Sequence, residues 1–113
     1  MRKVFVVNRG CHDLSDAERF GELVFLSEGA INRYAVANMY REFVRHLQSS
    51  DPEDLLLITG LSVMSSIACA IFARMHGRIN LLLYKASRVP GVEGFYIERT
   101  VMIDELLTER RKE

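Results

Sequence analysis

The chain has 113 residues, 49% of them hydrophobic, enough for one domain with a real core and too few for two. Its 15 basic and 15 acidic residues cancel, which argues against a nucleic-acid binder working through a broad basic face. No apolar run approaches the roughly 20 residues that cross a bilayer, so no membrane role is expected.

Met1-Arg2-Lys3 leads directly into a short β-like run, with no longer apolar segment and no small-residue cleavage site, so no signal peptide is expected. Cys11 and Cys69 lie far apart and make no disulfide framework; a cytoplasmic location is the expectation. Of the 15 basic residues 12 are arginine, whose planar fork suits bidentate contact with carboxylate or phosphate, although a codon or lineage preference for arginine is the simpler explanation.

The first predicted strand is Val4–Val7 (VFVV). Ser15-Asp16-Ala17-Glu18 then spells a capping box for a short helix that Gly21 closes. Leu23–Leu26 (LVFL) is the second strand, and residues 32–48 form an amphipathic helix. On its wheel Val36, Met39, Tyr40, Phe43, Val44 and Leu47 share one arc, with Asn32 and Arg33 at the start of the same arc. Leu55–Ile58 (LLLI) is the third strand. Residues 62–76 form a third helix, ended by Gly77 and apolar nearly all round. Ile79–Tyr84 (INLLLY) is the fourth strand, PGVEG at 90–94 a turn, and Phe95–Ile103 a partly alternating fifth strand. Residues 104–113 read as a short terminal helix or charged tail.

Unalternating apolar strands that take turns with helices predict an α/β fold, a small three-layer Rossmann-like domain over residues 1–113 with a mostly parallel five-stranded sheet. The expected strand order is 2-1-3-4-5, the last strand antiparallel at an edge. The first crossover then lies alone on one face, and its short helix covers that face poorly. With a third helix apolar on several sides, this predicts a homo-oligomer, a dimer or higher.

In such sheets ligands bind beyond the carboxyl ends of the strands where strand order reverses, here between strands 1 and 3. The loops leaving those strands are residues 8–13 and 59–62. Thr59, Gly60 and Ser62 form a strand-to-helix turn with Ser62 as expected N-cap, a spelling that serves plain capping or an anion at the helix end. It has neither the GxxxxGK[ST] nor the GxGxxG spacing. Asn8 and Asp13 offer hydrogen bonds to a base or ribose, and Arg9, His12 and Arg33 offer charge. Glu28 and Asn32 complete the expected binding set, with Arg33 as an alternative intramolecular partner of Glu28 or Asp13. Cys11, His12 and Asp13 are candidate catalytic residues, but neighbours in an extended segment point to opposite sides. His46 and His76 fall late on helices, where they suit the helix dipole, and Cys69 reads as a small core residue. No metal-ligand spacing occurs and no cofactor is implied.

These features favour a small protein that binds a nucleotide or other phosphorylated small molecule to sense, sequester or process it. The alternative is a protein–protein interaction module without a small-molecule site. A hydrolase with His12 as base is the third reading. No motif names a family, though the short α/β build as a whole resembles small proteins encoded by phages and mobile elements.

Overall fold

A computed structural model describes residues 1–10 and 12–105. Cys11 and residues 106–113, which carry one candidate nucleophile and most of the expected terminal helix, lie outside the described residues; residues 103–105 are helical. Strands β1 (Lys3–Val6), β2 (Glu22–Phe25), β3 (Leu55–Leu57), β4 (Arg78–Lys85) and β5 (Phe95–Met102) make one mixed sheet in the order β2-β1-β3-β4-β5. β1 pairs parallel with β2 and β3, β3 pairs parallel with β4, and β5 returns antiparallel along the whole of β4. The order and the reversed edge strand are those that the alternation of apolar runs and helices predicts.

Successive side chains of a strand point to opposite faces, and here both faces are apolar. Phe5, Val7 and Leu56 pack with Met39, Phe43 and Leu47 of α1 (Val36–Leu47) and Met64, Ala68 and Phe72 of α2 (Ser62–His76). Val4, Val6, Leu55, Leu57 and Leu82 face the other way, against Ala17 and Tyr96. Among the described residues only a 3₁₀ helix, Ser15–Phe20, crosses that second face, touching β1, β2 and β5. Leu14, Phe20, Leu23 and Phe25 stay half-buried, and an open depression of about 920 Å³ runs beside β2. No helix among the described residues is long and apolar enough to cross a membrane.

The helix starts depart from the sequence reading in three places. The capping box does not form: Leu14 occupies the cap position, and the Ser15 N–H donates instead to Asp13 Oδ1 at 2.9 Å. α1 begins at Val36 rather than Asn32, because Asn32 Oδ1 accepts the Tyr34 N–H at 3.0 Å and its carbonyl accepts the Ala35 N–H at 3.1 Å, a local turn that competes with helix. Leu61, not Ser62, stands at the cap position of α2, and no side chain caps that helix. The buried stripe of α1 is also narrower than the wheel suggests. Met39, Phe43 and Leu47 are buried, while Val36 and Tyr40 are exposed.

The amino edge of the sheet carries a polar network that ties four segments together. Asn80, fully buried on β4, donates from Nδ2 to the carbonyls of Pro52 (2.7 Å) and Asp54 (2.8 Å). Its Oδ1 accepts from the Arg78 guanidinium and from Thr100 Oγ1. Asp54, also buried, accepts the Lys3 and Asp51 amides, and Arg2 makes a two-pronged bond to Glu98. That edge is committed to structure, which leaves the carboxyl edge for other work.

Candidate functional site at the carboxyl edge

The chain leaves β1 at Val7 and β3 at Ile58, and the two exit loops touch. Gly60 has φ +89° and lies so close to Asn8 that a Cβ there would come within 2.9 Å of the Asn8 Cβ. The position therefore suits glycine on both conformational and steric grounds. Asn8 is absorbed by the scaffold: Oδ1 accepts from Ser27 Oγ at 2.9 Å and Nδ2 donates to the Gly29 carbonyl at 3.1 Å. A parallel bridge between Arg9 and Glu28 extends the β1–β2 pairing past the strand ends.

Beyond this brace lies a hollow of about 370 Å³. His12 and Asp13 line it from the β1 side, Ile58, Thr59 and Gly60 from β3, and Tyr84 and Tyr96 from the β4–β5 pair. It thus sits toward β3, β4 and β5 rather than squarely between β1 and β3. Asp13 is held in place by the Ser15 amide, and that bond keeps its carboxyl below the usual carboxylate range. No side chain among the described residues holds the His12 imidazole, so Asp13 does not orient it as a catalytic pair would require. Tyr96 is only 5% exposed; burial first, then the nearby Tyr84, Asp13 and Asp16, pushes its phenol pKa up.

The floor of the hollow depends on the 3₁₀ helix. Asp16 Oδ2 accepts the Tyr96 amide at 2.7 Å, and Arg19 donates to the Tyr96 carbonyl at 2.6 Å and to Asp16 Oδ1 at 3.0 Å. These two side chains occupy the outward backbone groups of Tyr96 on the free edge of β5, much as a further strand would. The Asp16 carboxyl lies below its usual range, through the Tyr96 amide first and Arg19 second.

Four of the expected binding residues therefore meet: His12, Asp13, Thr59 and Gly60. The others go elsewhere. Arg9 stacks over the Phe25 ring, 4.8 Å from its centroid, and lines the depression beside β2. Glu28 and Arg33 are exposed and line neither cavity, and Arg33 pairs with neither Glu28 nor Asp13 among the described residues. Asn32 borders a separate cleft with Asn38, Met39 and Met64. Ser62 begins α2 with its carbonyl accepting from Ser66 Oγ. His46 and His76 fall in the last turns of α1 and α2, as expected; His76 also bonds Ser50 Oγ at 2.8 Å and packs against Phe72, and His46 lies 3.3 Å from Glu42. Cys69 is half-buried against the core, and burial pushes its thiol pKa up. Among the described residues no cluster of three or more His, Cys, Asp or Glu could hold a metal ion.

Tyr84 and Tyr96 were not legible as site residues. Each closes or opens a strand, and only the antiparallel register Tyr84↔Tyr96 brings both to the carboxyl edge. The usable signal was the PGVEG turn, which implies that the residues flanking it pair.

The molecule is a small α/β domain with a five-stranded mixed sheet and a hollow at the carboxyl ends of its strands. It belongs to the Phage Pam3 gp32-like protein family, whose model matches residues 2–96. The matched range takes in every residue that lines the hollow. No curated protein and no solved structure matches the chain.

Proposed function

We propose that the chain binds a small phosphorylated molecule, a nucleotide or a metabolite of similar size, in the hollow at the carboxyl edge. One observation carries this reading: two loops far apart in the chain bring His12 and Asp13 together with Thr59 and Gly60, just ahead of α2. That helix has no side-chain cap and no acidic residue in its first turn. The Met64 amide already donates to the Leu61 carbonyl at 3.0 Å, which leaves the Ser62 and Val63 amides without an intrahelical acceptor, and the helix dipole favours negative charge there. A phosphate takes the Thr59–Gly60 end with His12 beside it, and the remainder of the ligand extends toward the tyrosines. A volume of about 370 Å³ suits a molecule of that size.

The test uses protein purified without added ligand, heat-denatured, its released small molecules examined by absorbance and mass spectrometry. A stoichiometric phosphorylated compound, lost from the His12→Ala protein, supports the reading. A blank, together with no saturable shift of the Thr59 and Gly60 amide resonances on adding AMP, GMP or inorganic phosphate, rejects it.

A second reading, an interaction module, is favoured by the β4–β5 hairpin. β3 pairs with β4 only at Leu81 and Leu82, so the hairpin tip runs past the sheet with Leu83, Tyr84, Val89, Val92 and Phe95 exposed. The family description, which names a phage protein, agrees with the phage-encoded form of that reading. The outer side of α2, with Val63, Ile67 and Ile71 half-buried and Met75 exposed, is the surface we assign to contact between copies of the chain. Sedimentation of wild type against Ile67→Asp tests it: a dimer or larger that becomes a monomer supports the assignment, and a wild-type monomer refutes it.

A further inference from the structure

The hollow changes character along its length. Thr59, Gly60 and His12 stand at its β3 end, and at its β5 end a second hollow of about 160 Å³, the lobe, shares Asp13, Tyr84 and Tyr96 with it. Three carboxylates, Asp13, Asp16 and Glu93, border that lobe, and no basic side chain does. Hydrogen bonds to both aspartates hold them below the usual range, so both are charged at neutral pH. Asp16 is spent on the Tyr96 amide and on Arg19. Asp13 accepts the Ser15 amide at Oδ1 and also a hydrogen bond from the Ser15 side chain, and a carboxylate with about four acceptor sites has room for a further donor at Oδ2.

Tyr96 supplies an independent observation. The residue is 5% exposed, yet its hydroxyl has no hydrogen-bond partner among the described residues. No buried side-chain nitrogen or oxygen among the described residues lacks a partner. The Tyr96 oxygen is therefore not sealed in the core, and the open space that Tyr96 borders is this hollow. Its ring meets Tyr84 edge-on at 5.3 Å. Arg19 offsets the charge of Asp16, so an anion in the lobe would face the Asp13 and Glu93 carboxylates beside two tyrosine rings. A cation gains from both.

We propose that this lobe is a binding site for an organic cation, a guanidinium or primary ammonium group that donates to Tyr96 Oη and Asp13 Oδ2 and lies against the two tyrosine rings. A free polyamine and the basic side chain of a partner protein present the same chemistry. The lobe goes beyond the phosphate end of the hollow and is tested by different amides.

The full chain is titrated by ¹H–¹⁵N NMR with blocked arginine (N-acetylarginine methylamide), its uncharged citrulline counterpart, and spermidine. The arginine probe shifts the Gly94 and Tyr96 amides saturably, and the citrulline probe binds at least about ten-fold more weakly. Tyr96→Phe keeps the ring and removes only an unpartnered hydroxyl, and it weakens the arginine probe about five-fold. Asp13→Asn keeps an acceptor for the Ser15 amide and weakens it about ten-fold. Tighter binding of spermidine assigns the site to a free polyamine, and tighter binding of blocked arginine assigns it to a protein side chain. Equal shifts from arginine and citrulline, indifference of both variants, or no saturable shift at Gly94 and Tyr96 overturns the proposal. Phosphate shifts confined to Thr59 and Gly60 beside silent Gly94 and Tyr96 would overturn this site alone and leave the phosphate reading standing.

Discussion

Replacing Asn80 by alanine removes the one side chain that satisfies two backbone carbonyls beneath the sheet. Asn80 is fully buried, and its amide group donates to Pro52 and Asp54 at 2.7 and 2.8 Å. Both carbonyls belong to the segment that leads into β3, so the amide fixes where the central strand begins. The Asp54 carbonyl is buried and costs about 1–3 kcal/mol when unsatisfied, while the carbonyl of the exposed Pro52 is reached by water and costs less, about 3 kcal/mol for the two together. The lost Oδ1 contacts add less, because Thr100 is exposed and Arg78 half-buried, and both can turn to solvent. Against a total stability of about 5–15 kcal/mol the variant still folds at 25 °C. With a urea slope of about 1.5 kcal/mol per molar, the midpoint falls by about 2 M. Urea unfolding followed by circular dichroism reads this directly, with Thr100→Val as the reference, expected to lose about 0.5–1 kcal/mol. The reasoning fails if Asn80→Ala loses no more than Thr100→Val, since the two carbonyls would then not depend on the amide.

Gly60→Ala forces a Cβ to 2.9 Å from Asn8 Cβ at a φ of +89°, so it destabilises the fold by about 1–3 kcal/mol; an unchanged urea midpoint contradicts the close packing of the two exit loops. Arg33→Ala is expected to leave stability within about 0.5 kcal/mol of wild type, because Arg33 is exposed and without an ion-pair partner among the described residues. It leaves binding in the hollow unchanged as well, and a loss of ligand on that substitution would put the site elsewhere. The carboxyls of Glu98, held down by Arg2, and of Asp16, held down by the Tyr96 amide, have folded values below their unfolded ones. Their contribution is therefore complete above about pH 5 and fades as pH falls through the folded values. Urea midpoints measured from pH 7 to pH 2 decline more gently in Asp16→Asn/Glu98→Gln than in wild type, and equally steep profiles would remove the linkage.

Much of this protein is readable before any coordinates. Strand-length apolar runs without alternation dictate strands buried on both faces, and their alternation with helices dictates a parallel sheet. Handedness and short connections then leave few strand orders, of which 2-1-3-4-5 is the observed one. His12, Asp13, Thr59 and Gly60 follow from that order alone, because the carboxyl ends of β1 and β3 bring their exit loops side by side. Asn32, Arg33 and Ser62 do not line this hollow, and where the helices begin has a local reason. Periodicity locates the body of a helix, whereas its first turn is settled by hydrogen bonds such as Asn32 Oδ1 to the Tyr34 amide.

Tertiary structure alone decided the rest. Asn8, whose type suits a ligand, is consumed by Ser27 and Gly29 across a loop junction that no short-range pattern encodes. Asn80 reads as an interruption in an apolar strand, yet it is a buried hub whose partners, Arg78 apart, lie 20 to 28 residues away. Tyr96 joins the hollow only through hairpin register and the Asp16–Arg19 clamp, 80 and 77 residues distant in the chain. Hydrophobic period and turn chemistry act between near neighbours and are written in the sequence. The pairing of particular polar groups is chosen only once packing has brought distant segments within hydrogen-bond reach, and at this carboxyl edge that choice decides which side chains line the hollow.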